Sequence, residues 1–172
     1  MKSNITKYND AFSLIELLVS IAIISTIIGL ALPNFLGART RARDVRRKSE
    51  VQQFKTALQL YYSDYGEYPA DSGGPVYGTI KGCGALGNES CPCTNTLDFA
   101  AGGTACGTIY MSKLPGEFGT SMFYYQKNSG EDFCIKVPLE NASDADAGTS
   151  QGRCDAVCPF MASGSDYIVC SE

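Results

Sequence analysis

Residues 12–33, FSLIELLVSIAIISTIIGLALP, form an uninterrupted apolar run with a single charge, Glu16, near its start. A helix needs about 20 apolar residues to cross a bilayer, so the run predicts a membrane-spanning or partner-buried helix at this end of the chain. An isolated carboxylate in hydrocarbon is costly: it sits at the interface, neutralises, or meets a cation supplied from elsewhere. The run itself holds no Lys or Arg. Just ahead stands Asp10-Ala11-Phe12, a polar leader ending in a small residue and then an aromatic, a pattern that suits a peptidase cutting between Ala11 and Phe12. Cleavage there creates a new cation, the Phe12 amine.

Beyond the run the helical pattern continues. Val51, Phe54, Leu58, Tyr61 and Tyr62 recur at spacings of three and four, which predicts an amphipathic helix with one buried stripe. Pro33, flanked by Gly29 and Gly37, predicts a kink or weak point in that helix. Gly66 then reads as its terminator, with Pro69 just beyond. Two plainer readings stand beside this one. The run serves as a secretory signal cut after Gly29-Leu30-Ala31, or as a simple single-span anchor.

All eight cysteines, Cys83, Cys91, Cys93, Cys106, Cys134, Cys154, Cys158 and Cys170, follow the long helix. An even number in a compact, loop-rich segment suits disulfides in an oxidising compartment, although their pairing is not readable from spacing. Cys91-Pro92-Cys93 is too tight for an easy mutual bridge, and a four-thiolate zinc site is the metal alternative because the chain has no His. Positive charge on the far flank of the run, Arg39 to Lys48, argues for a cytoplasmic C-terminal part. The cysteines argue the opposite, and they set the reading: leader in the cytoplasm, head outside.

Short β-branched or aromatic runs at 108–112, 121–126, 133–137 and 167–170 predict an antiparallel sheet, with Lys127-Asn128-Ser129-Gly130 turning one hairpin. A Gly- and Cys-rich stretch from 69 to 108 is too long for a free loop, so disulfides are expected to hold it. The fold class is therefore α+β: a long N-terminal spine helix, transmembrane in its first half and amphipathic in its second, packed on a small antiparallel head with disulfide-stapled loops. The divisions are 1–11 leader, 12–33 apolar helix, 34–66 amphipathic helix and 67–172 head.

Charge is segregated. Arg39, Arg41, Arg43, Arg46, Arg47, Lys48 and Lys55 face only Asp44 and Glu50 over residues 39–55, whereas the remainder is acidic. A basic neck under an acidic head predicts electrostatic interlock between neighbouring subunits or contact with anionic headgroups, the duller reading being a solvated helix face. Nucleic-acid binding by the head is disfavoured, since phosphate contacts need clustered Lys and Arg. Glu140, Asn141, Asp144, Asp146 and Asp155 crowd one segment, and oxygen ligands at that density make Asp144, Asp146 and Asp155 weak calcium candidates. No metal or other cofactor is otherwise expected. No His, phosphate loop or paired-carboxylate motif points to catalysis.

The string Ala11-Phe12-Ser13-Leu14-Ile15-Glu16 resembles the processing motif of type IV prepilins and the related pseudopilins, and Tyr62-Ser63-Asp64-Tyr65-Gly66-Glu67-Tyr68-Pro69 resembles their helix exit. The resemblance covers about residues 1–70. It implies a leader Met1–Ala11 removed by prepilin peptidase, N-methylation of Phe12, and a Glu16 carboxylate paired with the Phe12 amine of a neighbouring subunit. Pro33 matches the position of the family's kinking proline. One residue departs from the pattern: family leaders usually end in Gly, and here the position is Ala11. The implied function is a structural subunit of a type IV pilus-like filament, the alternatives being a type II secretion pseudopilin or an anchored binding module that does not polymerise. The implied partners are copies of itself, prepilin peptidase, an inner-membrane assembly platform and the membrane. The implied location is single-pass in the inner membrane, then a pilus or periplasmic pseudopilus.

Overall fold

The computed structural model describes residues 12–71, 74, 75, 80–93, 98–103, 106–115, 123–128, 130–159 and 163–171, with 33, 34, 74 and 75 as backbone only. Helix α1 runs from Leu14 to Tyr65. The chain divides into two compact units, one ending at Arg39 and the other, the head, starting at Thr40. Among its described residues the first unit is helical from Leu14, and their apolar side chains are open: Phe12 and Leu30 are 85% and 79% exposed within the single chain. Position 33 is helical like its neighbours.

In the head, α1 buries Val51, Phe54, Leu58 and Tyr61, the stripe that the spacing predicts, with Tyr62 half-buried against it. The helix ends where Gly66 takes a positive φ of 73° and donates its N–H to the Tyr62 carbonyl at 2.8 Å, a left-handed cap open to glycine at little cost. Strands β4 (Tyr124–Lys127), β5 (Phe133–Pro138) and β6 (Asp166–Cys170) form an antiparallel sheet, with β1 (Gly74–Pro75) on the outer side of β4. Strand alternation divides the side chains. Phe133, Ile135 and Val137 of β5, with Tyr167 and Val169 of β6, meet α1, while Cys134, Ile168 and Cys170 face a second apolar cluster.

Three expectations need correction. The sheet is not single: β2 (Phe99–Ala101) and β3 (Thr108–Met111) pair as a separate ribbon, and β2 was hidden because its three buried residues show no alternation. The run expected from Ser121 starts at Tyr124, and Ser121 and Met122 lie outside the described residues, as does Ser129 of the expected turn. The acid-crowded segment read as a calcium-ligand candidate holds a helix, α2 (Ala145–Cys154). Asp144 caps it, its side chain accepting the Asp146 N–H at 2.9 Å. Ala147, Ser150 and Cys154 form its buried face.

All eight cysteines are paired: Cys83–Cys91, Cys93–Cys106, Cys134–Cys158 and Cys154–Cys170. This removes the four-thiolate zinc alternative, since no thiolate is left to bind a metal. The first two bridges hold the long stretch after α1, as its length required. Gly87 packs there so closely that a Cβ would lie 2.9 Å from the Tyr61 hydroxyl, and its φ is 67°. The Tyr61 hydroxyl donates to the Gly87 carbonyl at 2.8 Å, and burial pushes that phenol up to about 12.

Candidate functional site

The start of α1 carries the assembly candidates. Ser13 donates its N–H to Glu16 Oε2 at 3.0 Å, so the Glu16 carboxylate closes over the first turn and satisfies one of the donors a helix N-terminus leaves open. Phe12, Ile15, Glu16, Val19 and Ser20 line a shallow groove on this face. No cation of the described residues is paired with Glu16. The arrangement is a carboxylate at the rim of an apolar, exposed helix, with its remaining capacity turned outward. Ala11, the predicted cleavage residue, lies outside the described residues, and for Pro33 only the backbone is described.

A second polar site lies wholly within the head, and the sequence reading missed its centre. Asp44, 1% exposed, accepts the backbone N–H groups of Glu140 at 2.9 Å and Asn141 at 2.8 Å, and a bond from Arg47 at 3.1 Å. Arg47 also donates to the Pro138 carbonyl at 3.2 Å and to Glu140. Arg43 donates to both Glu140 carboxylate oxygens at 2.9 Å. These hydrogen bonds from Arg43, against an opposing desolvation and with the Arg47 charge added, hold the Glu140 carboxyl below the usual range. The neck's charge is thus partly spent inside its own head. Asp44 escaped notice because one acid in a basic run reads as a surface ion pair; its place one turn ahead of Lys48 and two ahead of Val51, on the buried face, is the signal that was available.

The calcium candidates do not converge. Asp144 and Asp155 stand at opposite ends of α2, which at 1.5 Å per residue is about 15 Å long. Lys48 Nζ lies 2.7 Å from both Asp144 carboxylate oxygens and 2.8 Å from Asp146 Oδ2, over the Tyr167 ring at 5.7 Å. The Lys48 hydrogen bond holds the Asp144 carboxyl below its usual range. Partial burial pulls the Lys48 ammonium down, but its bonds to Asp144 and Asp146 outweigh that and raise it. Among the described residues no group of three or more acid, Cys or His side chains is placed to hold a metal.

Residues 6–32 match the model of the prokaryotic N-terminal methylation motif. The chain is 26% identical over 129 residues to type II secretion system core protein G of Aeromonas hydrophila, covering 71% of this chain and 85% of that protein. It is 32% identical over 60 residues to type IV major pilin protein PilA of Myxococcus xanthus strain DK1622, covering 35% of this chain and 27% of the pilin. It is also 32% identical over 69 residues to core protein G of Escherichia coli strain K12, covering 40% of this chain and 48% of that protein. The chain thus spans most of the Aeromonas relative but half or less of the other two. No solved structure matches. The motif, the apolar helix and the α+β head define the class: structural subunits that carry an N-terminal methylation motif. Within it, this chain is a pilin-like subunit of a type IV pilus-like or pseudopilus filament, and its relatives are structural proteins rather than enzymes.

Proposed function

We propose that this chain is an inner-membrane precursor, cut between Ala11 and Phe12 and N-methylated on Phe12, whose apolar helix then packs against its copies in an extracytoplasmic filament. One observation carries the reading: the long apolar face of the first unit is exposed in the single chain, and its only charge is a carboxylate at its start. Such a face is stable in lipid or against copies of itself, and the bridged cysteines support a head on the oxidising side. In the filament the Phe12 amine of a neighbour supplies the cation that Glu16 lacks. That pairing sets subunit register more than it adds stability. The chain has no catalytic role in this reading, and the head does not bind nucleic acid.

The four bridges favour display on a surface fibre, hence a pilus, with prepilin peptidase and an assembly platform as partners. A second reading, a type II secretion pseudopilus, is favoured by the match to core protein G, which extends beyond the N-terminal helix. The deciding test expresses the chain with a prepilin peptidase and its neighbouring assembly genes and measures the mature N-terminus by mass. A chain starting at N-methylated Phe12 supports the proposal; one starting at Met1 or Leu32 overturns it. Sheared surface fibres then identify a pilus, and loss of protein secretion without fibres identifies a pseudopilus.

A further inference from the structure

The outer edge of the sheet is closed by α2 rather than by another strand. Ile168 donates its N–H to Ser150 Oγ at 3.0 Å, and Gln151 Nε2 donates to the Asp166 carbonyl at 2.8 Å and the Gly164 carbonyl at 3.2 Å. The Asp166 N–H goes to the Ser163 carbonyl at 3.1 Å. Residues 166 and 168 therefore turn their backbone groups away from β5, and by alternation so does Cys170. An edge strand left open is a template for unwanted pairing, and α2 prevents this.

Two bridges hold that cover, Cys154–Cys170 and Cys134–Cys158, and their four sulfurs share one apolar cluster with Ile168. The same sulfurs have a second geometrically allowed pairing. Cys134 and Cys170 are direct partners in the β5–β6 register, and since 170 faces outward they form a non-hydrogen-bonded pair, with Cα atoms about 4.5 Å apart. Cys158 donates its N–H to the Cys154 carbonyl at 2.7 Å, so these two sit one helical turn apart, about 6 Å between Cα atoms. Both separations fall within the range a disulfide bridges.

We infer that the two bridges form an exchange switch: conversion to Cys134–Cys170 and Cys154–Cys158 staples β5 directly to β6 and unties α2 from the edge of β6. A small thiol catalyses it without net oxidation or reduction. Its thiolate attacks Cys158 Sγ, forming a mixed disulfide and releasing the Cys134 thiolate. Cys134 attacks Cys170 Sγ and releases the Cys154 thiolate. Cys154 then attacks the mixed disulfide at Cys158 Sγ and expels the original thiolate. The switch does not rest on the filament reading.

The test incubates the full chain, in detergent, in a glutathione redox buffer and maps its linked peptides by mass spectrometry. Cys134–Cys170 and Cys154–Cys158 peptides are expected beside the native pairs, and their absence at equilibrium overturns the inference. Cys154→Ala/Cys158→Ala holds the open state, leaving Cys134 and Cys170 to bridge. Amide hydrogen exchange at Ile168 is expected to rise at least tenfold there and to stay unchanged in Cys83→Ala/Cys91→Ala. Equal exchange in the open variant and the wild type, or an equal rise in the control, overturns it. Should the open variant not fold, the peptide map of the wild-type chain still decides.

Discussion

Asp44 on α1 accepts the N–H of Asn141, 97 residues further along the chain, at 2.8 Å. With the Glu140 N–H and Arg47 as its other partners, this buried carboxylate fastens the β5–α2 connection onto the helix. Removing it leaves two backbone donors and a largely buried guanidinium without their acceptor. Asp44→Ala is expected to destabilise the head by about 3 kcal/mol, within the range for breaking a buried, hydrogen-bonded ion pair from one side. Asp44→Asn retains one acceptor and is expected to lose roughly half as much. Thermal unfolding of the two variants in detergent checks the order; equal losses would show that the charge, not the acceptor geometry, carries the contact.

Two carboxylates beside this contact give the head an acid limit. The Glu140 and Asp144 carboxyls are held below their ordinary values, chiefly by hydrogen bonds from Arg43 and Lys48. A depressed carboxyl contributes stability that is complete above its unfolded value and is lost as pH falls through the lower, folded one. Protection of the Asn141 amide from hydrogen exchange is therefore expected to be complete above the usual carboxylate range and to decline progressively as pH falls from that range toward the lower, folded values. In Glu140→Gln the part of this loss that belongs to Glu140 disappears. An amide that opens at the same pH in both proteins would show that Glu140 is not the group responsible.

Much of this architecture is legible in the sequence, and the exceptions have physical causes. The stripe Val51, Phe54, Leu58 and Tyr61 announces itself by period, and β5 by the alternation of Phe133, Ile135 and Val137. Helix α2 does not, because Gly148 and Gly152 dilute its propensity and its cap, Asp144, with Asp146 resembles half of an ion-binding loop. The 147, 150, 154 spacing of its buried face was the available sign. Asp44 and Lys48 were hidden for another reason: their partners are about 96 residues distant, and no local pattern encodes a contact of that range.

Lys48 also bears on the calcium candidates. Its ammonium already satisfies both Asp144 oxygens and one of Asp146, and it is largely shielded from solvent. A divalent ion has to displace it and then finds two carboxylates where calcium takes six or more oxygens. Millimolar calcium is therefore expected to give neither heat in calorimetry nor a rise in melting temperature. A clear rise would show that Asp144 and Asp146 recruit further ligands.

The bridges are expected to differ in weight according to the loops they close. Cys134–Cys158 spans 24 residues and Cys83–Cys91 spans eight. In the chain-entropy model the first is worth about 3.4 kcal/mol and the second about 2.5 kcal/mol, so replacing each pair by Ala should cost more for the longer loop. Chemical denaturation of the two double variants measures this. The reverse order would place the main effect in the packing of Cys83 and Cys91 near Ile80 rather than in the unfolded chain.

Glu16 combines a local duty with the proposed intermolecular one, and the two separate by substitution. Its carboxylate accepts the Ser13 N–H within the same chain, a task that a neutral amide oxygen also performs. Pairing with a neighbour's Phe12 amine requires the charge. Glu16→Gln is thus expected to leave the helix, the head's melting temperature and leader removal unchanged while lowering filament yield by an order of magnitude or more. That figure corresponds to about 1.4 kcal/mol, well within the range for charge-assisted hydrogen bonds in a low-dielectric setting. Glu16→Ala removes both duties. If Gln supports full filament yield and Ala does not, the residue acts as a helix cap and the register is set by the apolar packing alone.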